Sequence, residues 1–256
     1  MNIAIDGKEK INLDELNNIV GKGQDGCLYL NKDTIIKICT SEYMTYEKLE
    51  DFNNLKLKLS EKGIDIFDSH IIIPDKKVEK VGSKIKRLKV TPIFGYTQQY
   101  VKEKKHEISL LKTSLFIDEV EMIRESIHAI FSRNNIAIMD TNPHNLLVTP
   151  NQEIYLIDHD RNITPSCMST EKSAIKDNDY YRHNEKRFAK LINRALLLQA
   201  FNHIENRDSN IRLVLQSMQE EELKSYSVYQ LYSMLKDYDY VYEYGDEKAK
   251  ELGIKK

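Results

Sequence analysis

The chain has 256 residues, 41% hydrophobic and 30% charged, with a net charge of −2 at neutral pH. That length can bury a sizeable core as one large domain or two lobes, and the composition excludes a disordered polymer. A near-neutral charge removes the electrostatic case for nucleic acid as the main partner, and no run reaches the ~20 apolar residues that span a bilayer.

The opening stretch MNIAIDGKEKINLDEL has no basic region followed by an apolar one, so no cleavable secretory signal is expected. Residues 19–30, IVGKGQDGCLYL, read as strand, glycine-rich turn, strand, and DTIIKIC (33–39) as a β-branched strand carrying one lysine. A helical pattern without Gly or Pro runs from Tyr43 to Lys62 and stops at Gly63. HIIIP (70–74) reads as a short buried strand, and residues 77–94 as a hairpin about Gly82-Ser83. The basic run Lys76, Lys77, Lys80, Lys84, Lys86, Arg87 and Lys89 is expected to be that hairpin's solvated surface. Residues 102–114 and 116–133 are expected to be helices, the second with Ile117, Val120, Ile123, Ile127 and Ile130 on one face. Two apolar segments flank a TPNQ turn (149–152), and helical patterns fill the chain from Asn184 onward. The layout is α+β: a small antiparallel-sheet part with one helix over 1–92, then a larger, mainly helical part over 93–256. The three cysteines, Cys27, Cys39 and Cys167, lack metal-ligand spacing, and their odd number argues against a disulfide framework, as in a reducing cytoplasm.

Three stretches carry chemistry. Gly21, Gly23 and Gly26 form a GxGxxG that enters a second strand instead of a helix; hairpin glycines of this kind let backbone N–H groups approach phosphates. Lys37, one strand later, is either an edge-strand lysine or an inward charge that needs an anionic partner. Glu50, with Asn54 and Leu57 on its helix face, is chosen as that partner, and Glu47 one turn earlier is the alternative. Finally, Asp140 and Asn145 stand five apart across a loop containing Pro143, and Asp158 ends an apolar strand. A carboxylate, an amide and a carboxylate are the hard oxygen ligands that nucleotide-bound magnesium takes. A loop acid can also orient a hydroxyl for in-line attack on a γ-phosphate. Asp160 is expected to be an exposed loop acid, with metal ligation as its alternative role.

In order and spacing these residues resemble the protein-kinase-like superfamily over about residues 19–160. The resemblance implies a bilobal fold and an enzyme that uses ATP and Mg²⁺. Gly21, Gly23 and Gly26 would cover the phosphates, and Lys37 paired to Glu50 would hold the α/β-phosphates. Asp140 would be the catalytic base or hydroxyl-orienting carboxylate, with Asn142 two residues on, where protein kinases carry a lysine. Asn145 and Asp158 would hold the metal, and the backbone from Val90 to Ile93 would meet the adenine. Ile138-Met139 replaces the usual His-Arg, so control by loop phosphorylation is expected to be absent, and His159-Asp160 replaces Phe-Gly.

The chain is most similar to the compact secreted effector kinases of enteric pathogens (the OspG/NleH type) in its D-x-N-x-x-N spacing, in IDHDRN and in FAKLINR. That similarity implies a Ser/Thr protein kinase with a protein substrate, which can be a host protein. It also implies a cytoplasmic protein or one delivered to a host cell by a specialised secretion system. A small-molecule kinase of the aminoglycoside/choline type is the alternative, for which Asp237, Asp239, Glu243 and Asp246 would be pocket acids. A partner-binding pseudokinase is the second alternative.

Overall fold

The computed structural model describes residues 1–16, 19–23, 25–82, 92–102, 113–151 and 153–204, and only the backbone at 113–118, 143 and 193–204. Val90, the second half of the expected 77–94 hairpin, most of the 102–114 helix and the four C-terminal acids lie outside the described residues.

An unexpected hairpin opens the chain. β1 (Asn2–Ile5) and β2 (Glu9–Asn12) pair antiparallel across Asp6-Gly7, both left-handed with φ of 48° and 69°. The loop is three residues long, Asp6 to Lys8, closed by the Lys8 N–H on Ile5 O at 3.0 Å, and its two positive φ values suit Asp-Gly. β3 (Ile19–Lys22) and β4 (Gly26–Asn31) then form the glycine hairpin, and β5 (Thr34–Cys39) carries Lys37. After helix α1 (Tyr46–Ser60), β6 (Lys77–Lys80) and β7 (Gly95–Gln99) complete one antiparallel sheet in the order β2-β1-β6-β7-β5-β4-β3.

β5 is therefore central, not an edge, and both its faces are covered. Ile36 and Ile38 pack with Ile3, Ile5, Leu13 and Val78 on one side. Strand alternation turns Lys37 to the other side, toward α1. Thr45 caps α1, its Oγ accepting from the Lys48 N–H at 3.3 Å, and Gly63 leaves the helix with φ of 71°. Leu49, Phe52, Leu55 and Leu59 face inward at helical spacing; burial of each contributes about 1.5–3 kcal/mol.

The inner face of α1 and the second part of the chain share one apolar cluster, in which Phe52 and Tyr96 join Ile123, Ile127, Phe131, Leu146, Leu156 and Phe188. α2 (Thr113–Ser126) runs into a π turn, then β8 (Leu146–Val148) and β9 (Ile154–Leu156) make a two-stranded ribbon. Backbone bonds of 2.9 Å from the Ile72 N–H to Leu156 O, and from the Leu156 N–H to His70 O, fasten the sequel of α1 to β9. The short α3 (Ser169–Lys172) and the long α4 (Tyr180–Ile204) follow. This is the expected α+β arrangement, an antiparallel sheet with one helix followed by mainly helical chain, with glycine hairpin, lysine strand and helix in the expected order.

HIIIP is buried as expected, but it bonds β9 through a single parallel bridge at Ile71 and forms no strand of its own. The sheet itself extends past residue 92, because its fourth strand in spatial order, β7, ends at Gln99. Among the described residues, no helix is long and apolar enough to cross a membrane.

Candidate active site

Lys37 is 6% exposed, and its Nζ lies 2.9 Å from Asp158 Oδ1 and 2.8 Å from Asp160 Oδ2. Burial alone would lower the pKa of this ammonium. Asp160, and then Asp158, outweigh that effect and hold it well above the ordinary lysine value, so Lys37 stays charged. Tyr96, the register partner of Lys37 on β7, donates its hydroxyl to Asp160 Oδ1 at 2.5 Å. Desolvation is the larger influence and pushes the Asp160 carboxyl up, against the downward pull of the Lys37 charge; we assign the ion pair on the 2.8 Å approach of Lys37 Nζ to Oδ2.

The expected partner of Lys37 is thereby corrected. α1 buries Lys48, Leu49 and Phe52, which turns Glu50 outward, where it is exposed and accepts from the Tyr46 hydroxyl. Glu47 does not replace it: one of its carboxylate oxygens is buried without a partner among the described residues. Asp160, expected as an exposed acid or metal ligand, is instead fully buried and paired to the lysine. The buried lysine of α1, Lys48, donates to the Asp160 carbonyl oxygen at 3.4 Å.

Asp158 follows β9 in the left-handed region with φ of 60°, a conformation that costs a non-glycine residue about 1–3 kcal/mol and concentrates at functional sites. The Asn145 carbonyl accepts from the Ile157 N–H at 2.8 Å, so the β8–β9 ribbon sets the amide residue beside the chain leading into Asp158. The loop before it is built from two side-chain turns. Asp140 Oδ1 accepts from the Asn142 N–H at 2.9 Å, and Asn142 Oδ1 accepts from the His144 N–H at 3.1 Å. Asn142 thus shapes the loop, and Asp140 takes part in it through one carboxylate oxygen, Oδ1.

The approach to Asp140 is held from α4. Asn184, fully buried, accepts from the Ile138 N–H at 2.8 Å and donates to Ile136 O at 2.8 Å. The sequence gives no sign of this role, since a helical Asn reads as a surface residue.

On the opposite wall, the Gly23 N–H bonds Gly26 O at 2.9 Å and closes the glycine turn. Arg161 forks onto Asp25 of that turn, with contacts of 3.0–3.2 Å, and lies 4.4 Å over the Tyr43 ring. A Cβ on Gly26 would meet Ile38 O at 2.5 Å and Lys37 Cε at 3.4 Å, so only glycine fits. Gly26→Ala is expected to cost about 1–3 kcal/mol and to displace Lys37; thermal unfolding measured with and without Mg·ATP reads both effects.

His159 occupies the place between Phe52, 6.1 Å away, and Phe131, 5.0 Å away edge-on. Burial pushes its pKa down to about 4. Ile93, expected at the adenine, is buried in the main cluster and donates its N–H to Met44 O. The strand that passes Lys37 and then leaves the sheet is β7, so the chain exits at Gln99–Val101. The reason is the composition of GYTQQ, too polar and too poor in β-branched residues to read as a strand.

Gly26, Lys37, Asp158 and Asp160 are thus brought together, with Asn145 joined to them through Ile157. Asp140 acts on the same arginine, Arg161, whose pKa burial lowers and Asp25, Tyr43 and Asp140 raise.

No family model matches the chain. No curated protein matches it. Among solved structures, the Legionella pneumophila Lpg2603 kinase bound to IP6 aligns over 89% of this chain and 82% of its own, at 12% identity and a TM-score of 0.44.

Proposed function

We propose that the chain is an ATP- and Mg²⁺-dependent phosphotransferase whose acceptor is a Ser or Thr hydroxyl of a protein. The observation that carries this reading is the ion pair between buried Lys37 and partly exposed Asp158, set beside the glycine hairpin and joined to the Asp140–Asn145 loop through Ile157. An anion site needs a fixed cation and a metal site needs hard oxygens; Lys37 supplies the first, and Asp158 with Asn145 the second.

Asp158, partly exposed and with one oxygen free of Lys37, and Asn145 would hold magnesium. Among the described residues no three His, Cys, Asp or Glu side chains form a metal cage. Magnesium on a nucleotide needs none, since waters and phosphates complete its shell. Bound there, the metal supplies charge neutralisation at the phosphates. Lys37 adds a second fixed positive charge where negative charge develops. Asp140 orients the acceptor hydroxyl and accepts its proton as the new P–O bond forms. The turn around Gly21, Gly23 and Gly26 excludes water above the phosphates, and the adenine contact passes from 90–93 to the backbone of 99–101. The division of labour between residues 1–92 and 93–256 is kept as the frame, with β7 added to the first part.

Incubation with Mg²⁺ and γ-labelled ATP, with and without a eukaryotic lysate, tests the reading. Labelled protein bands are expected, reduced about 10²-fold or more in Asp140→Ala. Label in small soluble products alone replaces the protein acceptor with a small-molecule one. Label retained only from the α-phosphate means nucleotidyl transfer. A folded protein that binds no nucleotide ends the enzyme reading in favour of a binding module.

A further inference from the structure

We infer that Asp160, and not an acid of helix α1, is the positioning residue for Lys37, so that the site works without any movement of α1. This rests on the phosphotransferase reading above.

Lys37 has two carboxylate partners, and they are not equivalent. Asp158 is partly exposed and is needed by the metal, so in the working enzyme its claim on the lysine is shared. Asp160 is fully buried and held at three points. Oδ1 accepts from Tyr96, Oδ2 faces Lys37, and its main-chain oxygen accepts from Lys48. A carboxylate held in this way keeps one geometry, and the ammonium bound to it inherits that geometry.

α1 contributes no competing anion. Glu50 faces outward against Tyr46, and neither it nor Glu47 pairs with Lys37. Two side chains of α1, Lys48 and Asp51, bond instead to the segment after Asp158. Besides Lys48, Asp51 accepts from the Ser166 N–H at 2.7 Å and from the Ser166 hydroxyl at 2.9 Å. Arg161, directly after Asp160, clasps Asp25 in the glycine turn. The short stretch from Asp158 to Ser166 therefore sets the lysine, the helix and the glycine turn together. Placing the lysine is built into the core and needs no carboxylate from α1.

The test is a mutant cycle on the full chain with Asp160→Asn, Lys37→Met and their double variant, beside Glu47→Gln and Glu50→Gln. KM for ATP, kcat and the thermal midpoint are measured for each. Asp160→Asn is expected to raise KM for ATP about 10-fold or more and to add nothing in the Lys37→Met background, the mark of a residue acting through the lysine. The two glutamine variants are expected to stay within about twofold of wild type. Should Asp160→Asn fail to fold, Tyr96→Phe loosens Asp160 while keeping the ring. Its smaller rise in KM is likewise expected to vanish without Lys37. Effects of Asp160 and Lys37 that multiply, or a glutamine variant as damaging as Asp160→Asn, overturn the inference alone. A wild-type protein that neither binds nor turns over ATP overturns the phosphotransferase reading and this inference with it.

Discussion

Lys37→Met is expected to destabilise the protein by about 3–5 kcal/mol at neutral pH and to lower phosphotransfer about 10²–10³-fold. Methionine keeps the length of the side chain, so the cavity left behind is small and the effect is electrostatic. The ammonium, itself buried, stands between carboxylate oxygens at 2.8 and 2.9 Å, the nearer on the fully buried Asp160. Removing it leaves Asp160 buried beside Asp158 with only the Tyr96 hydroxyl and neighbouring dipoles to stabilise its charge. The carboxylate then escapes the penalty by taking a proton, and burial already pushes its pKa upward. The loss should therefore be largest at high pH and shrink as the solution is acidified and the carboxyl becomes neutral. Denaturant unfolding at pH 7.5 and pH 5 measures both the size and the trend. A difference from wild type under about 1 kcal/mol at pH 7.5 would show that the pair is solvated, and the buried-network account would fail.

What was legible in the sequence was what local chemistry dictates. Glycines at 21, 23 and 26 between β-branched runs can only be a hairpin turn approached closely by something. Lys37 among isoleucines marks a strand, and the polar loop from Asp140 to Asn145 entering LLV marks a turn into another. These signals are read within a few residues of chain. The partner of Lys37 was not legible, because it lies 121 or more residues away and periodicity says only which side chains share a helix face, not where the face points. Glu50 satisfied the spacing and still points outward, because Lys48, Leu49 and Phe52 fill the inner face. The sequence did contain a hint: a lysine that must be buried needs an acid, and IDHD offers two on one side of a strand end. The β1–β2 hairpin was also signalled by Asp6-Gly7 between alternating residues, but its second strand, EKIN, is too charged to read as one. Strand β7 was hidden for the opposite reason. Its inward Tyr96 and Gln98 are chosen for a polar interior, so the usual apolar mark of a central strand is absent.

The second large effect is expected on acidification, and it belongs to His159. The ring is 2% exposed and packs between Phe52 and Phe131. Its Nδ1 faces the Asn162 amide at 3.1 Å, and Nε2 has no partner among the described residues. A proton added here would create a cation among aromatic rings and near Lys37, which outweighs the favourable pull of Asp158; burial is the largest cause, and the pKa falls to about 4. In the unfolded chain the same ring takes its proton near 6.5. Between those values the unfolded state holds more protons, so stability rises with pH. The contribution is complete above pH 6.5 and is lost progressively down to pH 4, where about 3 kcal/mol has gone. His159→Phe keeps a ring between the two phenylalanines and removes the titration, at a cost of about 1 kcal/mol for the abandoned Asn162 donor. The variant should thus be less stable than wild type at pH 7.5 and more stable at pH 4.5. Carboxylates titrate alike in both proteins, so the difference between the two unfolding free energies isolates the imidazole. A difference that stays constant from pH 7.5 to 4.5 would mean that the ring is protonated in the folded protein, and that the space between Phe52 and Phe131 is not the dry site its packing implies.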